Sequence, residues 1–160
     1  MLFRVKIKVV AVGKVKERYF LDGIEEYAKR LKRFCQFSIV EVAEENYDKA
    51  QGKMLDIIKE KEAERIIPNL KGFVFAMAIE GEKFSSEKFA QKLDGLIGGG
   101  TGEFTFIIGG SYGLSDKVKK MADKLISFSD MTFPHTLFRL MLCEQIYRVF
   151  TINEGTAYHK

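Results

Sequence analysis

Two stretches decide the fold: Phe73-Val74-Phe75-Ala76-Met77-Ala78-Ile79 and Phe104-Thr105-Phe106-Ile107-Ile108-Gly109-Gly110. Gly72 and Gly81 bound the first, and a glycine pair closes the second. A strand with one wet face alternates apolar and polar residues, whereas a run that is apolar throughout is covered on both faces, as in a parallel sheet. Outward from these runs, Phe3, Val5, Ile7 and Val9 alternate with Arg4, Lys6 and Lys8, a period of two that predicts a first strand over 3–12, stopped by Gly13. Phe20, Ile24, Tyr27, Leu31 and Phe34 recur at spacings of four and three and predict a helix over 17–34. A second strand is expected at 36–43, and a charge-laced helix at 48–65 ended by Pro68 and Asn69. Ser85 or Ser86 can cap a helix carrying Phe89, Leu93, Leu96 and Ile97, and Ser115 a short one over 116–124. A fifth strand at 125–129 precedes a long last helix from Pro134 to about Asn153. Strands alternating with helices predict an α/β fold, a mainly parallel sheet flanked by helices. The last helix is apolar on more than one stripe and needs a second cover, for which another copy of the chain is one candidate.

At 160 residues, 46% hydrophobic and 30% charged, the chain is expected to form one domain, 1–160. Cys35 and Cys143 lie far apart and belong to no CxxC pair, so no disulfide scaffold and no metal site is expected, and a reducing cytoplasm fits. No run approaches the apolar length of a membrane span, and the alternating start is not a secretory signal. The net charge of +4 is concentrated early: residues 1–33 hold 10 basic against 4 acidic side chains, with Lys29, Arg30, Lys32 and Arg33 clustered. Such a patch is what a polyanion would meet, although a solvated helix face has the same composition.

In parallel sheets ligands bind beyond the carboxyl ends of strands, which directs attention to the loops after Ile79, Ile108 and Ser129. Gly98-Gly99-Gly100-Thr101-Gly102-Glu103 fails the GxGxxG pattern and no GxxxxGK[ST] occurs, which argues against dinucleotide and P-loop functions. The strongest local signal is Ile107-Ile108-Gly109-Gly110-Ser111-Tyr112-Gly113-Leu114-Ser115. Paired glycines after a buried strand let a ligand approach the backbone, and equally suit a tight strand-to-helix turn. Thr132, in Met131-Thr132-Phe133-Pro134-His135, can cap the last helix, whose amino end suits an anion. Arg139 lies in an apolar stretch and needs an anionic partner, either Glu144 or Asp130 or a substrate. Tyr158-His159-Lys160, beyond a helix stop at Gly155, is expected to be a free segment.

Taken together, the blocks 76–81, 106–114 and 125–135, the Arg139 and Glu144-Gln145-Ile146-Tyr147-Arg148 pattern and the Tyr158-His159-Lys160 ending resemble the ribosomal RNA large subunit methyltransferase H family, small enzymes of the SPOUT class. The resemblance spans nearly the whole chain. It implies a SPOUT-type fold whose C-terminal part, about 73–160, makes a deep trefoil knot. It also implies a homodimer that transfers a methyl group from S-adenosylmethionine to N3 of a pseudouridine in 23S ribosomal RNA on the assembled ribosome. By that likeness the cofactor contacts Met77, Gly109 and Gly110 and the segment Phe128, Ser129, Asp130, Met131, Thr132 and Phe133. Many relatives read Leu-Asp where this chain has Met77-Ala78, so any role of that carboxylate is absent here.

The donor carries its own activated methyl, so no protein nucleophile or metal is needed, but N3 must lose its imide proton. His159 is a base of suitable basicity, Arg139, Arg148 or Lys160 can stabilise the anion or hold a phosphate, and Tyr158 offers a face for the base. Lys29, Arg30, Lys32, Arg33 and Lys160 are the expected RNA contacts. Alternatives are methylation of another RNA, such as a transfer RNA base or ribose, and a non-catalytic ribosome-binding protein on the same scaffold.

Overall fold

The computed structural model describes residues 4–45, 47 and 50–159. Among these residues five strands and five α-helices follow one another as β1 (Lys6–Val12), α1 (Arg18–Leu31), β2 (Gln36–Val42), α2 (Lys53–Ile66), β3 (Phe73–Lys83), α3 (Ser86–Gly98), β4 (Glu103–Ile108), α4 (Asp116–Met121), β5 (Lys124–Ser127) and α5 (His135–Asn153). The strands form one sheet of order β2-β1-β4-β3-β5 in which every pairing is parallel. Among the described residues no helix is long and apolar enough to cross a membrane.

Successive side chains of a strand point to opposite faces, and here each face has its own core. Ile7, Val9 and Ala11 of β1, with Phe75, Phe104 and Phe106, pack under Leu31 of α1, Phe89 and Leu93 of α3, and Leu142 and Ile146 of α5. The alternate residues Val10, Val12, Val74, Ala76 and Ile107 pack under Ala63 and Ile66 of α2 and Val118 of α4. Two-sided coverage is why the central strands are apolar throughout. The Phe75 and Phe106 rings stack with centroids 4.9 Å apart, tying neighbouring strands at the centre of the larger core.

Several boundaries differ from the sequence expectation. α1 ends at Leu31 rather than at residue 34, and Phe34 instead stacks on Phe150, centroids 5.4 Å apart. α2 begins at Lys53; the expected start at 48 lies outside the described residues. β4 ends at Ile108 rather than 110, which leaves Gly109 and Gly110 in the loop. β3 continues past Ile79: after a register shift between Met77 and Glu82, Glu82 and Lys83 pair with Ile126 and Ser127 of β5. Gly81 permits this, because a Cβ there would lie 2.6 Å from the Ile126 backbone. The resulting bulge leaves Ile79 and Glu80 exposed beside the carboxyl ends of β4 and β5.

Candidate active site

Across the register Ala11 lies beside Ile108 and Ala76 beside Ile107, so the pairings of β4 with β1 and β3 stop at one level and deliver the segments beyond them to one edge. There a cavity of about 410 Å³ is lined by residues 77–80, 108–114, 126–129 and 131–133, with Lys119, His135 and Phe138. These are the three loops singled out in the sequence. Met77, Gly109, Gly110, Phe128, Ser129, Met131, Thr132 and Phe133 all line it; Asp130 does not, being exposed and ion-paired with Lys83.

The glycine loop is folded back on itself. A Cβ on Gly109 would lie 2.9 Å from the Gly113 carbonyl carbon, Gly110 bridges to Gly113, and Gly113 has a φ of +83°. Only glycine tolerates that approach and that backbone conformation. In the loop after β5, Ser127 Oγ donates to the Ser129 carbonyl at 3.0 Å, and the Met131 amide donates to Ser129 Oγ at 3.0 Å. Ser129, rather than Thr132, therefore does the turn chemistry before α5: the N-cap position is Pro134, with no side-chain cap. Lys119 pairs with Glu80 at 2.6 Å on the cavity wall and holds that carboxyl below its ordinary value. The cavity thus joins an apolar floor and free loop backbone to one ion pair, the composition of a site for a small polar ligand with an apolar part.

A family model described as a predicted SPOUT methyltransferase matches residues 5–159. The chain belongs to the SPOUT methyltransferase family. The ribosomal RNA large subunit methyltransferase H of Streptococcus uberis is 51% identical over 158 residues, covering 97% of this chain and 99% of that one. The enzyme of the same name from Ligilactobacillus salivarius is 52% identical over 157 residues, covering 96% and 99%. Of solved structures, a tRNA (m1G37) methyltransferase from Aquifex aeolicus aligns with a TM-score of 0.54 at 15% identity, over 91% of this chain and 70% of that one. A probable methylase family protein from Haemophilus influenzae aligns with a TM-score of 0.52 at 10% identity, over 93% and 66%. At such identities the likeness shows the fold alone. As a SPOUT methyltransferase the chain is an enzyme, and S-adenosylmethionine is its methyl donor.

Tyr158, His159, Arg148 and Arg139, the residues expected to be catalytic, stand away from the cavity lining within one chain. After Gly155 (φ +70°) the chain turns back onto α5, and 156–159 is docked rather than free. Tyr158 Oη donates to Glu144 Oε1 at 3.1 Å, lies 3.2 Å from Tyr27 Oη, and sets its ring edge-on to Tyr147 at 4.8 Å. Burial, Tyr27 and Glu144 together push the Tyr158 phenol above its ordinary value. Arg148 is held by Glu144 at 2.5 Å and donates to His159 Nδ1 at 2.9 Å, while His159 Nε2 lies 2.8 Å from Glu87 Oε1. Arginine only donates, so Nδ1 is the accepting nitrogen and Nε2–H donates to Glu87, the pattern of a neutral imidazole. None of Tyr158, His159 and Arg148 lines the cavity. His135, at the cavity end of α5, and Arg148 are thirteen residues apart, roughly 20 Å along the helix. Lys160 lies outside the described residues.

Arg139 is 3% exposed and faces neither expected partner. It pairs with Glu41 of β2 and donates to the Gly13 carbonyl at 3.0 Å, while its Nε is buried without a partner among the described residues. It ties α5 to the ends of β1 and β2 behind the cavity, a positioning rather than a substrate-facing place. Lys29, Arg30, Lys32 and Arg33 are all exposed at the end of α1. Arg30 pairs with Glu26 at 3.2 Å and lies 5.2 and 5.5 Å from the Tyr27 and Tyr147 rings. The basic patch therefore borders the same two tyrosines that receive Tyr158. Sequence reasoning passed over Lys119 on α4, Glu80 in the bulge of β3 and His135 at the start of α5, positions that carry no signal in the sequence.

Proposed function

We propose that this chain methylates N3 of a pseudouridine in 23S ribosomal RNA on the assembled ribosome, working as a homodimer in the cytoplasm. The observation that carries it is the cavity at the sheet's carboxyl edge, in a chain half identical over nearly its full length to enzymes named for the large-subunit ribosomal RNA. The cavity fits S-adenosylmethionine: the glycine loop, folded so tightly that 109 and 110 have no room for a side chain, offers backbone groups, and Met77, Phe128 and Phe133 offer apolar contact. When bound, the donor supplies a methyl group activated on a sulfonium.

What the chain itself must do is remove the imide proton at N3 and hold the base in line. His159 takes that proton on its accepting nitrogen once the ring leaves Arg148 and Glu87. Arg148 and Lys160 stabilise the resulting anion or hold a phosphate, and Tyr158 stacks on the base. Within one chain 156–159 docks away from the cavity, and a second copy laid against α5, whose Leu137, Leu140 and Met141 are only half-buried, brings it to the neighbouring site. Residues 73–160 form the knotted, donor-binding half of the single domain 1–160, and Lys29, Arg30, Lys32 and Arg33 contact ribosomal phosphates.

The test is transfer of labelled methyl from S-adenosylmethionine to intact ribosomes lacking this modification, with the modified base mapped. Label at N3 of a large-subunit pseudouridine is the expected result; competent ribosomes that take up no label overturn it. Reversing the charge of Lys29, Arg30, Lys32 and Arg33 together is expected to weaken ribosome binding about a hundredfold or more near physiological salt and to flatten its salt dependence. Donor affinity is expected to stay unchanged, since none of the four lines the cavity.

A further inference from the structure

Two carboxylates outside the half that carries the cavity converge on the back of the glycine loop. Glu44, just beyond β2, accepts from Ser111 Oγ at 2.9 Å and from the Ser111 amide at 3.4 Å. Glu62, buried on α2, accepts from the Glu45 amide at 3.0 Å. A Cβ on Gly110 would stand 3.3 Å from Oε1 of both carboxylates, so the two pack directly against that α-carbon. The other oxygen of Glu44 reaches the far side: a Cβ on Gly13 would lie 3.2 Å from it and 3.6 Å from His135 Nε2.

Glu44 is itself held on both sides. Arg65 of α2 donates to the Ala43 carbonyl at 2.8 Å and pairs with the Glu45 carboxylate, while the Glu45 amide is bound to Glu62. Burial pushes the Glu62 carboxyl above its ordinary value, against the lowering effect of the Glu45 amide, and the Glu44 charge adds to the rise. A loop with glycines at 109, 110 and 113 has much backbone freedom, and ordering it would be charged against ligand binding unless something fixes it beforehand.

We propose that Glu44 is a positioning residue for the donor-binding loop: clamped by Arg65 and Glu62, it fixes Ser111 and with it the backbone of Gly110, and so sets the affinity for S-adenosylmethionine. The role rests on the assignment of the cavity to the donor. Glu44 touches neither the base nor the transferred methyl group, so its effect falls on donor binding and not on the chemical step.

Calorimetric titration of the full-length protein with S-adenosylmethionine tests it. Glu44→Ala is expected to weaken binding about tenfold, the loss of a hydrogen bond to a charged group. The kcat for ribosome methylation at saturating donor, the KM for ribosomes and the melting temperature are expected to stay close to wild type. Glu44→Gln keeps an accepting oxygen for Ser111 and is expected to recover most of the affinity. Ser111→Ala is expected to add little to Glu44→Ala, because both remove the same contact. Wild-type donor affinity in Glu44→Ala, additive effects of the two changes, or a fall in kcat with affinity intact would each overturn the proposal. Gly109→Val separates the levels. If it abolishes donor binding while Glu44→Ala does not, only the positioning role fails; if it leaves binding intact, the cavity assignment fails and the proposal with it.

Discussion

Removing residues 158–160 is expected to lower methyl transfer to ribosomes by about a hundredfold or more while the affinity for S-adenosylmethionine stays where it was. A positioned general base contributes ~10²–10⁴ in rate, and His159 is the base in the proposed chemistry. Donor binding is spared because 156–159 does not line the cavity. Stability is expected to fall by about 1–2 kcal/mol, for the lost contacts of Tyr158 with Glu144 and Tyr27. His159→Ala alone should show most of the rate loss, whereas Tyr158→Phe keeps the ring and should show little. Mixing the truncated chain with Gly109→Val, each inactive alone, asks whether the segment serves a neighbouring cavity. Recovered activity in the mixture is the expected outcome, since one copy then supplies the segment and the other the donor site. Full turnover by the truncated chain would remove His159 from the mechanism.

The second large effect falls on the sheet that carries the site. Gly72→Ala is expected to cost at least about 3 kcal/mol and to lower the melting temperature by about 10 °C, measured by thermal and urea unfolding. Gly72 has a φ of +64°, and a Cβ there would lie 2.0 Å from the Glu103 carbonyl oxygen and 2.5 Å from its carbon. Relief requires β3 to move off β4 where Phe73 pairs with Phe104, and the displacement carries along the strand to Ala76 and Ile107, next to Met77 and Gly109. Gly155→Ala is the control, because φ there is +70° but nothing lies within 4 Å of the added carbon. Its cost is expected to be only the ~1–2 kcal/mol of the left-handed backbone. Equal losses in the two variants would show that the close approach to Glu103 carries no energy.

The same contrast between local and long-range causes separates what could be read in the residues from what could not. Continuous apolar runs at 73–79 and 104–110 specify strands covered on both faces, and the structure buries Phe75, Phe104 and Phe106 on one face and Val74, Ala76 and Ile107 on the other. Serine caps were equally readable: Ser85 and Ser115 accept from the Lys88 and Val118 amides, a bond between residues three apart. The three cavity loops follow from the strand order, because parallel strands expose their carboxyl ends on one edge. Thr132 was misplaced as a cap because the turn before α5 is closed by Ser129, and hydroxyls at both positions look alike in sequence.

The partners of charged groups belonged to a different level. Arg139 meets Glu41, 98 residues away, rather than Glu144 or Asp130; Glu44 meets Ser111, 67 residues away; His159 meets Glu87, 72 residues away. By itself the sequence determined the α/β layout, the parallel core and the loops that form the cavity, because hydrophobic period and turn chemistry act between neighbours along the chain. Only the tertiary structure decided that Arg139 is a buried tie, that 156–159 docks on α5 away from its own cavity, and that a carboxylate of the β2–α2 connection backs the glycine loop. A carboxylate or guanidinium reads identically in sequence whether it is solvated or clamped. Its energy is set by the dielectric and the opposite charge within a few ångströms, which exist only once distant segments have packed together.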